Sequence, residues 1–192
     1  MTRFFWVRHG PTHSKALIGR TDLPADLSDR AALDRLSAFL PTDALVVSSD
    51  LIRAVATADA LQSDRPRLPH DPHLREFDFG AWEGLPAAEV ATRWPEASRA
   101  YWERPGDSAP PNGESWNAAA ARVTAAATRL ANTHPGRDIV AVAHFGVILT
   151  QLQRARGCTA YEILAQRIEP LSVTCLSLTA TGWAVSEINH RP

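Results

Sequence analysis

The chain has 192 residues, enough for one domain with a full hydrophobic core, and 45% of them are apolar, an ordinary globular share. A formal net charge of -1 removes any strong global field, so neither nucleic acid nor a membrane is expected as a partner. The two cysteines, Cys158 and Cys175, match no metal spacing, the start MTRFF lacks the apolar core of a secretion signal, and no apolar run approaches the roughly 18 residues of a bilayer span, so a cytoplasmic location is expected.

In chain order, FFWV is a short apolar run of strand type that stops at Arg8, His9 and Gly10. Residues 27–40 have helical spacing, with Ser28 as the expected N-cap. ALVVSSD, residues 44–50, is a second strand, and a helix follows over 53–62. Residues 104–115 are rich in Pro, Gly and Ser and read as a long surface loop. An Ala-rich helix spans 116–134, a third strand 138–144, and a further helix runs from 147 until Gly157 stops it. Residues 172–188 read as two strands joined near Thr181 and Gly182. Alternating strands and helices imply an α/β fold: a three-layer sandwich with a mostly parallel central sheet, helices on both faces, and a single domain over 1–192. The strand runs are continuous rather than alternating, as when both faces of a sheet are covered.

Three strands end alike. The first ends in Arg8-His9-Gly10, the second in Ser48-Ser49-Asp50 with Arg53 in the next helix, and the third in His144-Phe145-Gly146. In open α/β sheets ligands bind beyond the carboxyl ends of the strands, so these ends should share one crevice. Two histidines, two arginines and the N-termini of the adjacent helices suit a compact dianion such as phosphate. Arg8 offers a planar fork to two phosphate oxygens. Gly10 is expected to let the backbone bend tightly and approach the ligand. His9 is then a phosphate donor or a nucleophile, and neighbouring arginines would keep it neutral, as attack on phosphorus requires.

With these motifs in place, the chain resembles the histidine phosphatase superfamily, the phosphoglycerate mutase-like proteins. The resemblance is carried by Arg8-His9-Gly10 with Thr12, by SSDLIRAVATA with its arginine at Arg53, and by LREFDFGAWEG with its carboxylate at Glu76. Gly113-Glu114-Ser115 and VAHFG with His144 complete it. A lone Arg-His-Gly is a weak signal; five motifs in order over residues 7–146 are a strong one.

The resemblance implies that His9 attacks phosphorus and forms a phosphohistidine, while Arg8, Arg53 and His144 hold the phosphoryl oxygens. It implies Glu76 as the proton donor to the departing alcohol, a role that favours a carboxyl in an apolar setting. Gly10, Thr12 and Phe145 join the expected substrate contacts. His144, as a phosphate ligand, is allowed either protonation state. No metal and no cofactor is implied, and the expected partner is a small-molecule phosphomonoester.

Phe145 stands where many members of the family have glycine, so its ring is expected to narrow or cover the pocket. The compact segment after Glu76, with Ser14 and Lys15 where mutases carry a Trp-Asn pair, favours a phosphatase over a mutase. A mutase, and a phosphate-binding module without turnover, remain the alternatives. Asp78 and Glu83 compete with Glu76 for the acid role. His13, His70, His73, His134 and His190 read as surface or turn residues, with His13 nearest the rim. Trp102 and Trp116 read as core aromatics that could also line a cleft. The short C-terminal strands are a candidate homodimer interface.

Overall fold

The structure, a computed structural model, describes residues 1–179 and 182–192. Five strands form one sheet in the order β2-β3-β1-β4-β5: β1 Thr2–Arg8, β2 Leu45–Ser48, β3 Asp138–Ala143, β4 Val173–Thr179 and β5 Gly182–His190. The expected junction at Thr181 lies outside the described residues. Strands β1, β2 and β3 are parallel, with Phe4 beside Ile139 and Val46 beside Val140. Strand β4 is antiparallel to both β1 and β5. The sheet is therefore mixed rather than mostly parallel. The cause is where the chain re-enters. Leu171 and Ser172 hydrogen-bond the backbone of Arg8, at the carboxyl end of β1, so β4 must run back along β1.

Helices cover both faces. Phe5 and Val7 of β1, with Val140 and Val142 of β3, pack with α1 (Arg30–Phe39) and α2 (Ile52–Gln62). Phe4, Trp6, Ile139 and Ala141 pack on the other face with α5 (Trp116–Thr133) and α6 (Phe145–Arg156). Successive residues of each strand thus enter opposite cores, which is why the runs are continuously apolar. The Ala-rich side of α5 buries Ala119, Ala126, Ala127 and Ala131, small enough to let the helix lie close to its neighbours. Gly157, with φ +63, ends α6 in a left-handed cap.

Helix α1 begins one turn position later than expected. Asp29, not Ser28, caps it by accepting from Ala32 N at 3.0 Å, and the Ser28 N–H is taken by Asp26. Two helices that were not expected also appear before the 104–115 loop: α3 (Ala87–Arg93) and α4 (Pro95–Glu103), followed later by the short α7 (Ala160–Ile163). No described helix is long and apolar enough to cross a membrane.

Candidate active site

The carboxyl ends of β1, β2 and β3 converge, and the side chains expected there do meet. A cavity of about 280 Å³ is lined by Arg8, His9, Thr12, Arg53, Glu76 and Phe145, together with Ser14, Ala16, Leu17, Ile18, Phe79 and Trp102. His9 is 7% exposed, Arg53 1% and Glu76 8%, so the polar groups sit in a largely dry wall.

The surroundings of His9 decide its tautomer. Its Nδ1 lies 2.7 Å from the carbonyl oxygen of Gly10, an acceptor only, so Nδ1 carries the hydrogen and donates it. Nε2 then holds a lone pair, which accepts from Arg53 Nε at 3.2 Å. Burial first, then the charges of Arg53 and Arg8, push the imidazole down from its ordinary 6.5 to about 3. The ring is neutral, with Nε2 as its nucleophilic atom.

Arg53 is fixed from behind. Its two terminal nitrogens donate to the carbonyls of Thr21 at 2.8 Å and Gly19 at 2.6 Å. Glu83 in turn binds that loop, accepting from the N–H groups of Gly19, Arg20 and Thr21 and from the Thr21 hydroxyl. Arg8 is held by the Ile168 carbonyl at 2.6 Å, and its guanidinium lies 5.4 Å from the centre of the Phe145 ring. The buried Nε of Arg8 has no protein partner among the described residues. Phe145 therefore does line the cavity, and it also braces the arginine.

His144 is fully buried and is not on the cavity wall; its ring meets His9 edge-on, centroids 5.0 Å apart. Burial, reinforced by His9 and the nearby arginines, holds it well below the ordinary range. Without a bound anion, His144 is thus held towards its neutral form. Its Nε2 is 2.7 Å from Ser49 Oγ, while Nδ1 has no partner. If the Ser49 hydroxyl donates to Nε2, Nδ1–H is left as a free donor.

Gly10 has a different reason to be glycine from the one expected. Its N–H donates to Thr57 Oγ1 at 3.0 Å, and it does not line the cavity. A Cβ there would lie 2.6 Å from Leu27 Cδ2 and 3.0 Å from the Asp26 carbonyl, so the loop over residues 25–27 excludes a side chain. The helix N-termini also differ from expectation. The first N–H of α2, on Ile52, is taken by Asp22 at 2.7 Å, and the Gly146 N–H of α6 is taken by Glu76 at 3.1 Å. Carboxylates of the protein occupy both positive helix ends.

Of the three candidate acids, Glu76 alone lines the cavity. Its Oε1 also accepts from Phe77 N at 3.0 Å. Asp78 accepts from Gly80 N, and Glu83 holds the 19–21 loop. His13 is exposed and paired with Asp26, and Lys15 is exposed and off the wall. Trp116 is buried, with its indole N–H on Gln153, whereas Trp102 is half-buried on the wall. Among the described residues no three His, Cys, Asp or Glu side chains gather as a metal site.

The family model of the histidine phosphatase superfamily (branch 1) matches residues 4–191. The chain belongs to that superfamily. It is 34% identical over 159 residues to phosphoglycerate mutase-like protein 4 of Arabidopsis thaliana, covering 78% of this chain and 69% of the relative. A bifunctional protein of Mycobacterium tuberculosis is 40% identical over 143 residues, which are 72% of this chain but only 38% of that protein. Among solved structures, mycobacterial glucosyl-3-phosphoglycerate phosphatase superposes with a TM-score of 0.84 at 27% identity, covering 99% of both chains.

In this histidine phosphatase chain, sequence reasoning missed the second tier of the site. Ser49 bonds His144, Thr57 bonds the Gly10 N–H, and the carbonyls of Gly19 and Thr21 hold Arg53; Ser49 and Thr57 lie inside SSDLIRAVATA with no role read for them, and Gly19 and Thr21 lie in no motif. Trp102 reached the wall through α4, a nine-residue helix that begins at Pro95 and was not expected.

Proposed function

We propose that this chain is a metal-independent phosphomonoester hydrolase working through phosphohistidine. The observation that carries the reading is the buried, neutral His9, its Nε2 lone pair facing a cavity with two arginines. Nε2 attacks the phosphorus and a P–N bond forms as the P–O ester bond breaks. The bonding electrons pass to the ester oxygen, which takes a proton from Glu76. Water then attacks the phosphohistidine, gives its proton back to Glu76 and releases phosphate from His9.

Arg8 and Arg53 supply the positive charge for the phosphoryl oxygens, Arg8 through its partnerless Nε. His144, neutral and packed edge-on against His9 behind the wall, adds no charge to the phosphoryl site. Thr12, on the wall, is a further hydroxyl donor. Arg53 must loosen its 3.2 Å hold on Nε2 for the lone pair to attack, and the arriving dianion gives it a stronger acceptor.

The test is phosphate release from a varied set of phosphomonoesters without added metal, with the acid-labile phosphoenzyme trapped by rapid quench. Turnover and phosphoenzyme should both vanish in His9→Ala while the fold is kept. Turnover that survives in that variant refutes the nucleophile. A phosphoenzyme that returns its phosphoryl group to a second hydroxyl instead of water identifies a mutase.

A further inference from the structure

Beside the basic cavity lies a second, smaller chamber of about 50 Å³. Its wall is almost wholly apolar, built from Phe77, Tyr101, Pro105, Trp116 and Leu164. Four residues line both spaces: Glu76, Phe79, Trp102 and Phe145. Glu76 therefore stands at the junction, with phosphoryl-binding groups on one side and an aromatic chamber on the other. Resting on the hydrolase reading above, this order offers a bound ester one path. The phosphoryl group lies by His9, the ester oxygen by Glu76, and the alcohol continues into the aromatic chamber.

The charges agree. Arg8 and Arg53 are the only Lys or Arg side chains lining either space among the described residues, and both are assigned to the phosphoryl group. Lys15 is exposed and off the wall, and Arg20 lies off the wall beside Glu114 at 3.9 Å. A second anionic group on the alcohol would find no counter-ion in the aromatic chamber. The one polar feature special to the chamber is Tyr101, 3% exposed, whose hydroxyl has no protein partner among the described residues. Burial pushes that phenol up, so it stays a neutral donor. A buried donor without a partner is a site for a ligand acceptor.

We propose that the aromatic chamber is the leaving-group site, and that the substrates are phosphomonoesters of uncharged, apolar or aromatic alcohols with no anionic group besides the phosphate. Trp102 and Phe145 are then the specificity-determining residues. This separates the chain from its structural neighbour, whose named substrate contains phosphoglycerate.

The experiment compares benzyl phosphate, ethyl phosphate, phosphoserine and 3-phosphoglycerate, all esters of alkyl alcohols. Benzyl phosphate should exceed 3-phosphoglycerate in kcat/KM by roughly tenfold or more, mainly through KM. Trp102→Ala should shrink the benzyl-to-ethyl ratio by a similar roughly tenfold factor. Binding of benzylphosphonate against methylphosphonate, which needs no turnover, gives a second reading, and the benzyl compound should bind more tightly. His9-dependent hydrolysis that favours 3-phosphoglycerate or phosphoserine overturns the leaving-group assignment and leaves the hydrolase reading intact. Absence of any turnover or phosphoenzyme overturns the hydrolase reading; benzylphosphonate binding no tighter than methylphosphonate overturns the chamber assignment by itself.

Discussion

Glu76 is held by contacts so close that its neighbour cannot carry a side chain. A Cβ on Gly146 would sit 2.7 Å from Glu76 Oε1 and 3.0 Å from the Phe77 ring. Gly146→Ala must move the carboxylate from the junction, which misplaces the proton for the leaving group. With alkyl esters kcat should fall roughly 100-fold, and the clash should lower stability by about 1–3 kcal/mol. Steady-state kinetics and denaturant unfolding on one preparation separate the two effects. Glu76→Gln tests the proton itself, since the amide keeps the shape but has no acidic proton. Its loss should be roughly 100-fold or more with ethyl phosphate and much smaller with 4-nitrophenyl phosphate, whose leaving group departs unprotonated. Equal losses with both esters would remove Glu76 from the acid role. The proposal for Glu76 began in the sequence, where the family resemblance of LREFDFGAWEG favoured it while Asp78 and Glu83 stayed in competition. Only the three-dimensional placement puts Asp78 on Gly80 and Glu83 on the 19–21 loop, away from the cavity that Glu76 lines.

At the scale of elements, the working parts are loops pinned between strand ends. Glu83 grips residues 19–21, whose carbonyls grip Arg53, whose Nε reaches His9. Although burial works against the charge of Glu83, the N–H of Arg20, the Thr21 hydroxyl and the N–H groups of Gly19 and Phe79 outweigh it and hold the carboxyl below its ordinary value. Glu83→Gln replaces one acceptor oxygen by a donor, so at least one loop N–H loses its partner. The expected result is a loss of about 1–3 kcal/mol in stability, together with a lower kcat, although Glu83 does not line the cavity. Unaltered kcat in a destabilised variant would show that Arg53 keeps its place without the loop. The strands behind this network were legible because each is a short apolar run ending in polar residues. Helices α3 and α4 were not, since each is under ten residues long and Pro86 and Pro95 interrupt the segment at their starts. The direction of β4 was equally hidden. It follows from the backbone pairing of Leu171 and Ser172 with Arg8, a long-range contact that composition does not encode.

Across the whole molecule, the arrangement that keeps His9 neutral also makes the fold acid-sensitive. In the unfolded chain a histidine takes up a proton near 6.5, whereas folded His9 does so only near 3, and His144 is displaced in the same direction. Between those values the unfolded state holds more protons, so stability is fully present above pH 6.5 and is lost as pH falls towards 3. A histidine displaced in this way contributes a slope of up to about 1.4 kcal/mol per pH unit once the unfolded ring is protonated, and His144 acts with the same sign. Carboxylates held low in the fold, Asp50 and Glu83 among them, act with the same sign but only as the pH nears their own lower range. The interval from pH 6 to 5 therefore isolates the histidines. Denaturant unfolding across it should show a falling stability, and His9→Gln should reduce the slope by up to about 1.4 kcal/mol per unit. The catalytic profile should behave differently: with His9 already neutral, no acid limb belonging to it should appear above about pH 3 in kcat/KM. A limb near pH 6.5 that moves with mutations around His9, joined to a flat stability profile, would mean that the folded ring takes up its proton as freely as the unfolded one. The desolvated nucleophile would then be wrong at both scales.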